Sequence, residues 1–201
     1  MRSHKDIPKG VNCHAPRAEK HLDLRVLHGD GTNTVAKKGG WHWLRGLQAS
    51  ERGEGHRHDR QQWLCVGSLP VAPVNETDMA LLPKGLQALK KLAKQVGLDL
   101  RGPYLNLDGG FDSAHNRKCI FNAGLIPNIP ENPRNRKRPK RGRKRLFNAA
   151  IHALRMRVER TFAWEDKFKR LLLRFEHIQQ RHYGMKLMAY TLINLREFCG
   201  I

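Results

Sequence analysis

The sequence predicts an α/β fold whose sheet is flanked by helices and carries a ligand site at its carboxyl edge. Three observations predict it. Short apolar strands alternate with amphipathic helical stretches, two of those strands run into an Asp-Gly pair, and a cationic run separates two helical regions.

The elements follow in chain order. Residues 1–21 are basic and irregular. In LDLRVLHGDG, Leu22, Leu24 and Val26 alternate ahead of Gly29 and Gly31, which predicts a half-buried strand ending at Asp30. Residues 41–67, WHWLRGLQASERGEGHRHDRQQWLCVG, lack the alternation that a second and third strand need. From Asp78, a suitable N-cap, Leu82, Leu86, Leu89, Ala93 and Val96 keep 3.6-residue spacing, while Lys84, Lys90, Lys91 and Lys94 lie off that stripe. That amphipathic helix closes near Gly97. A strand at Tyr104 to Leu107 runs into Asp108-Gly109-Gly110, Ser113 caps a helix ending before Gly124, and LIPNIP reads as a further strand. Residues 131–145 form a basic linker, kept extended by Pro133 and Pro139. Beyond it, Phe147, Ile151, Leu154 and Val158 share one side of a helix. His152, Arg155 and Glu159 fall on a neighbouring stripe, because i, i+3 and i+7 nearly superpose. A last helix is expected to turn Met185, Met188, Leu192 and Leu195 inward.

Composition narrows the function. The 201 residues suffice for one domain, and 38 Lys plus Arg against 18 Asp plus Glu leave a formal charge of +20. No apolar run approaches the ~18 residues of a membrane span, and the opening MRSHKDIPKG lacks the apolar segment of a signal peptide. Cys13, Cys65, Cys119 and Cys199 form no CxxC pair, which excludes a zinc ribbon and makes reduced cytoplasmic thiols the expectation. Nine Lys or Arg and no acid lie between Arg134 and Arg145, a segment whose natural counterion is a polyphosphate backbone. The alternative is a solvated arm. An RNA-binding module is disfavoured, since neither a GXXG loop nor an aromatic stacking motif is present.

Asp30 and Asp108 each end a strand beside glycine, and would stand side by side if their strands pair. Two adjacent carboxylates repel unless a cation neutralises them, and hard divalent ions such as Mg²⁺ take oxygen ligands. Glu159 is the third candidate. The alternatives are an ordinary Asp-Gly turn for either aspartate and an Arg155–Glu159 surface pair at i, i+4 for the glutamate.

YLNLDGGFDSAHNRKCIFNAGLIPNIPENPRNRK, followed by IHALRMRVERTFAWEDKFKRLLLRFEHIQQRHYGMKLMAYTLINLREF, resembles the catalytic part of bacterial DDE-type insertion-sequence transposases, and HGDGTNTVAKKGG resembles the segment around their first aspartate. The likeness covers residues 22–40 and 70–199. It implies an RNase H-like mixed sheet flanked by helices over residues 22–199. It also implies a catalytic, metal-binding triad of Asp30, Asp108 and Glu159, with Mg²⁺ or Mn²⁺ as cofactor. The implied reaction is metal-dependent cleavage and strand transfer of insertion-sequence ends, in the nucleoid-associated cytoplasm. The implied partner is double-stranded DNA, both transposon ends and target, held by Arg134, Arg136, Lys137, Arg138, Arg155 and Lys167. A homodimer acting across paired ends is expected, and no membrane. Related transposases carry Tyr-x-x-Arg-x-x-x-Glu and a later basic residue. Here His152 stands at the tyrosine position, Arg155 and Glu159 are in register, and Lys167 comes one position late.

Two departures suggest an impaired copy. Back-translating residues 41–67 and advancing one nucleotide turns Trp41 and Trp43 into glycines and permits an apolar strand leading into an Asn-Gly hairpin turn near Leu64. Residues 41–67 are therefore expected to be out of frame, with the second and third strands disrupted and any zinc set of His56, His58 and Cys65 accidental. Only residues 1–21 precede the first strand, so the N-terminal DNA-end-recognition region is expected to be missing. The competing reading is a catalytically inactive DNA-binding remnant.

Overall fold

The computed structural model describes residues 22–36, 41–51, 63–65, 71–73, 77–132, 145–174, 176 and 178–199. Strand β1 (Leu22–Ala36) is the spine of a mixed sheet. Strand β2 (Trp41–Glu51) runs antiparallel to it, from Leu22 opposite Glu51 to Thr34 opposite Trp41, with register shifts between Asp23 and Leu27 and between His28 and Asp30. Strands β3 (Trp63–Cys65) and β4 (Val71–Pro73) both pair antiparallel with β2. On the other side of β1, β5 (Tyr104–Asn106) is parallel to β1 and β6 (Ile126–Asn128) is parallel to β5. The resulting order is β3-β2-β1-β5-β6, and β7 (Leu173–Arg174) adds parallel to the far end of β1.

The expected disruption of the second and third strands is corrected here. Trp41–Glu51 pairs with β1 along most of its length although its sequence does not alternate. Ladder hydrogen bonds come from backbone N–H and C=O groups, which every residue but proline supplies in full, so alternation reports which face is buried rather than whether strands pair. Residues 52–62 and 66–67, His56 and His58 among them, lie outside the described residues.

Helix α1 (Asp78–Val96) buries Leu82, Leu86, Leu89 and Ala93 as its spacing predicts, and Leu81 with them. Thr77 rather than Asp78 is its N-cap, and Val96 is exposed. Gly97 ends it at φ 73°, a left-handed turn that glycine makes without strain, and the Gly97 and Leu98 amides both donate to the Ala93 carbonyl. Helix α2 (Ala114–Asn122) is capped as expected, with Ser113 Oγ accepting from the Asn116 amide at 3.0 Å. These two helices and the sheet enclose a core that includes Leu27, Leu81, Leu105, Leu107, Ile120 and Leu125.

The C-terminal helices differ from expectation in two ways. The helix expected as one piece from Leu146 is two, α3 (Ala149–Ala153) and α4 (Met156–Asp166), and Leu146 and Phe147 are exposed. The break comes where the Leu154 and Arg155 amides reach back only three residues, to the Ile151 and His152 carbonyls. After α5 (Lys169–Leu172), α6 (Gln179–Cys199) turns His182, Lys186, Ala189, Tyr190 and Ile193 inward and leaves Met188, Leu192 and Leu195 exposed. The cause is Glu165 of α4, itself buried. It pairs with Lys186 Nζ at 3.0 Å and accepts a hydrogen bond from the Tyr190 hydroxyl, so polar side chains occupy the face that apolar spacing would claim.

Candidate active site

Parallel pairing of β1 with β5 sets the acids. Val26, Leu27 and His28 lie opposite Tyr104, Leu105 and Asn106, so Asp30 and Asp108 each come two residues beyond the last pair, where β5 has ended. The expectation that the first strand ends at Asp30 is corrected, since β1 continues to Ala36 and pairs Asp30 with Arg45 of β2. Arg155, at the junction of α3 and α4, spans the two aspartates. Its guanidinium stands 3.2 Å from Asp30 Oδ2 through one terminal nitrogen and 3.3 Å from Asp108 Oδ1 through the other. The planar fork thereby supplies one positive charge to two carboxylates that would otherwise repel. Asp108 also caps the short 3₁₀ turn Gly109–Phe111, accepting from the Gly109 amide, so the turn and the site are the same feature. The i, i+4 alternative for Arg155 is corrected, since its partners are the aspartates.

Arg155 reaches this position because α3 is fastened to the sheet by buried amides. Asn106 and Asn128 end β5 and β6 side by side, and Asn128 Nδ2 donates to Asn106 Oδ1 at 3.0 Å. Asn128 grips the backbone of Asn148, accepting from its amide at 2.8 Å and donating to its carbonyl at 3.1 Å. Asn148 then caps α3, its Oδ1 accepting from the Ile151 amide at 3.1 Å. Asn106 adds the Ile151 carbonyl at 3.4 Å, His28 Nδ1 at 3.0 Å and His152 Nδ1 at 3.1 Å. Burial first, and then the Arg155 charge, hold the His152 pKa below the usual imidazole value, with Asp108 opposing in part.

A second clamp lies beside the first. Asp112 accepts from Arg117 Nε at 2.9 Å, from the Asn132 amide at 3.1 Å, and from the Arg145 guanidinium. Burial alone would raise its pKa, but the Asn132 amide and the two arginines outweigh it and bring the carboxyl below the usual range. One carboxylate therefore holds residues on both sides of the basic linker.

Of the other expected site residues, Glu159 is exposed in the first turn of α4 and does not join the two aspartates; among the described residues no group of three His, Cys, Asp or Glu could hold a metal ion. The straight helix that would have stacked His152, Arg155 and Glu159 is broken between the first and the last. Lys167 is exposed at the end of α4, its ammonium 3.5 Å from the centre of the Trp164 ring, which Arg196 also approaches at 3.8 Å. Arg134, Arg136, Lys137 and Arg138 lie outside the described residues. Asn106, Asn128, Asn148 and Asp112 were not singled out by sequence, although asparagine within a strand, where it is disfavoured, was an available signal.

Comparison with known families identifies one. The family described as transposase DDE domain matches residues 64–192, a span that holds Asp108, Arg155 and Glu159 and begins after Asp30. No curated protein matches the chain. The match covers well over half of the sequence, and the chain belongs to the transposase DDE domain family.

Proposed function

We propose that the chain is built for divalent-metal-dependent phosphoryl transfer on double-stranded DNA, the cleavage and strand transfer of insertion-sequence ends. The observation that carries this reading is the pair Asp30 and Asp108, delivered to one edge by parallel strands and already sharing one cation. The strand order, with β2 and β3 antiparallel to their neighbours and β5 and β6 parallel to β1, supports an RNase H-like topology.

The two carboxylates suit a hard cation that prefers oxygen ligands, and Glu159 is the residue that would complete the set. Bound Mg²⁺ or Mn²⁺ would supply activation of water or a 3′-hydroxyl and neutralisation of the leaving oxygen. The chain's own contributions are positional. Arg155 balances the acid pair and offers a planar donor fork to a phosphate, while Lys167 and the run from Arg134 to Arg145 offer backbone contacts to the duplex.

Incubation of the full chain with duplex DNA and Mg²⁺ or Mn²⁺ tests the reading. Cleavage is expected with metal, lost in EDTA and lost in Asp108→Asn, with DNA binding retained in that variant. Cleavage that persists in EDTA or in Asp108→Asn refutes the assignment. Tight duplex binding without cleavage under any metal favours the second reading, an inactive DNA-binding remnant, for which the separation of Glu159 from the aspartates speaks.

A further inference from the structure

We propose that His152 is a hydrogen-bond acceptor built into the acid site: a relay of asparagine side chains from Asn128 to Asn106 fixes the imidazole proton on Nδ1 and leaves Nε2 to receive an O–H donor. This rests on the phosphoryl-transfer reading for the donor's identity, the water or deoxyribose hydroxyl brought to Asp30 and Asp108.

The relay runs atom by atom. An asparagine amide cannot be oriented by shape, only by partners of known polarity. Asn128 has two. The Asn148 amide can only donate and faces Oδ1, and the Asn148 carbonyl can only accept and faces Nδ2. With its orientation fixed, Asn128 Nδ2 donates onward at 3.0 Å, so the Asn106 atom that meets it is an acceptor, Oδ1. The other end of Asn106 agrees independently, since its Nδ2 meets the Ile151 carbonyl, which can only accept. His152 Nδ1 lies 3.1 Å from that same Asn106 oxygen and must therefore donate. A neutral imidazole carries one N–H, so the lone pair belongs to Nε2.

Position places this acceptor at the chemistry. His152 precedes Arg155 by three residues, and its carbonyl accepts the Arg155 amide at 3.0 Å, so the histidine and the arginine share one tight turn. Both Arg155 and Asp108 lie near enough to act on the ring electrostatically, and burial favours its uncharged form. His152 is only partly buried as a residue, and its ring rests 5.3 Å from the Phe147 ring. The asparagines are positioning residues, whereas His152 is the group that would touch substrate.

The test reads the tautomer directly, on the full chain labelled with ¹⁵N-histidine, by long-range proton–nitrogen correlation. His152→Gln identifies the His152 signal by its disappearance. The expected result is an Nδ1–H tautomer; an Nε2–H tautomer, or the averaged signal of a freely exposed histidine, overturns the proposal. Asn106→Asp keeps the side chain's shape but removes its donor, so His28 must acquire a proton on Nδ1 while His152 keeps its own. An unchanged His28 overturns the relay. With duplex DNA and Mg²⁺, His152→Phe is expected to lower cleavage about a hundredfold, the low end for a positioned base, without changing DNA affinity. His152→Gln, whose carbonyl still accepts, recovers part of that loss, and equal losses in the two variants overturn the acceptor role. The tautomer measurement needs neither metal nor DNA, so its failure is separable from failure of the phosphoryl-transfer reading.

Discussion

Lys186→Met should destabilise the fold far more than its replacement of one long side chain by another suggests. Lys186 and Glu165 are 1% and 4% exposed at their side chains and meet at 3.0 Å, with the Tyr190 hydroxyl on the second carboxylate oxygen. Removing the ammonium leaves a carboxylate in a nearly dry interface with the tyrosine hydroxyl still bound, and stripping one partner from a buried pair costs about 3–5 kcal/mol. In a domain of this size each kcal/mol moves the midpoint by roughly 2–4 °C, so a fall of about 6–20 °C in Tm is expected. Replacing the unit together, Glu165→Met with Lys186→Met and Tyr190→Phe, removes the buried charges along with their partners. It should return most of the loss, since apolar substitution of a whole buried pair is often neutral or stabilising by about 1–4 kcal/mol. Urea denaturation followed by tryptophan fluorescence is a suitable assay, because Trp164 packs against the same cluster. The reasoning is refuted if the single variant loses less than about 1 kcal/mol, or if the triple variant is less stable than the single one.

Three further outcomes are expected. Asp112→Asn removes the ionic partner of Arg117 and Arg145 and should cost about 2–3 kcal/mol at pH 7 by denaturant titration. Because the folded pKa of Asp112 lies below 3.8, the carboxylate's contribution is complete above that value and disappears as pH falls through the folded pKa. Wild type and variant should therefore converge as the pH is lowered through the folded pKa, and a gap that does not narrow at all on acidification below 3.8 would contradict the assignment. Ser113→Ala removes the Oγ that accepts from the Asn116 amide and should cost about 1 kcal/mol, read from the same titration; no measurable change would mean that the cap is idle. Replacing Arg136, Lys137 and Arg138 by alanine should shallow the salt dependence of duplex binding by roughly 0.9 in log K against log salt for each phosphate that is no longer neutralised. An unaltered slope would take those residues out of the DNA interface.

Legibility followed the kind of force involved. Helix α1 could be read almost residue by residue, because one apolar stripe and one glycine C-cap determine it. The nearness of Asp30 to Asp108 was legible from two Asp-Gly steps after apolar strand segments, and the parallel register delivers it, although β1 does not end at Asp30 but runs on to Ala36. Strand β2 was not legible, since its partners are backbone groups that leave no residue pattern. The inward face of α6 was misread for a different reason: apolar periodicity assumes that Lys186 belongs outside, and only Glu165, on another helix, makes its burial tolerable. The Asn106–Asn128–Asn148 clamp escaped because its members are far apart in sequence and none of them titrates. Its meaning exists only once β5, β6 and α3 meet.

The clamps at the roots of the basic linker predict that the fold should tolerate a break in its covalent continuity. Asn132 and Arg145 meet on one carboxylate, Asp112, and just beyond them Asn148 is locked to Asn128. A single peptide-bond cut between Arg134 and Lys144 should divide the polypeptide without dividing the domain, for the two fragments would still share the β1–β7 pairing, the Asn128–Asn148 hydrogen bonds and the Asp112–Arg145 ion pair. Separately expressed halves broken there should find each other and reconstitute one unit, with trypsin, which cleaves after lysine and arginine, yielding a nicked but associated product. Of the nine cations in the run, Arg145 is spent on Asp112, which leaves the eight from Arg134 to Lys144 for the anion that the run is proposed to meet.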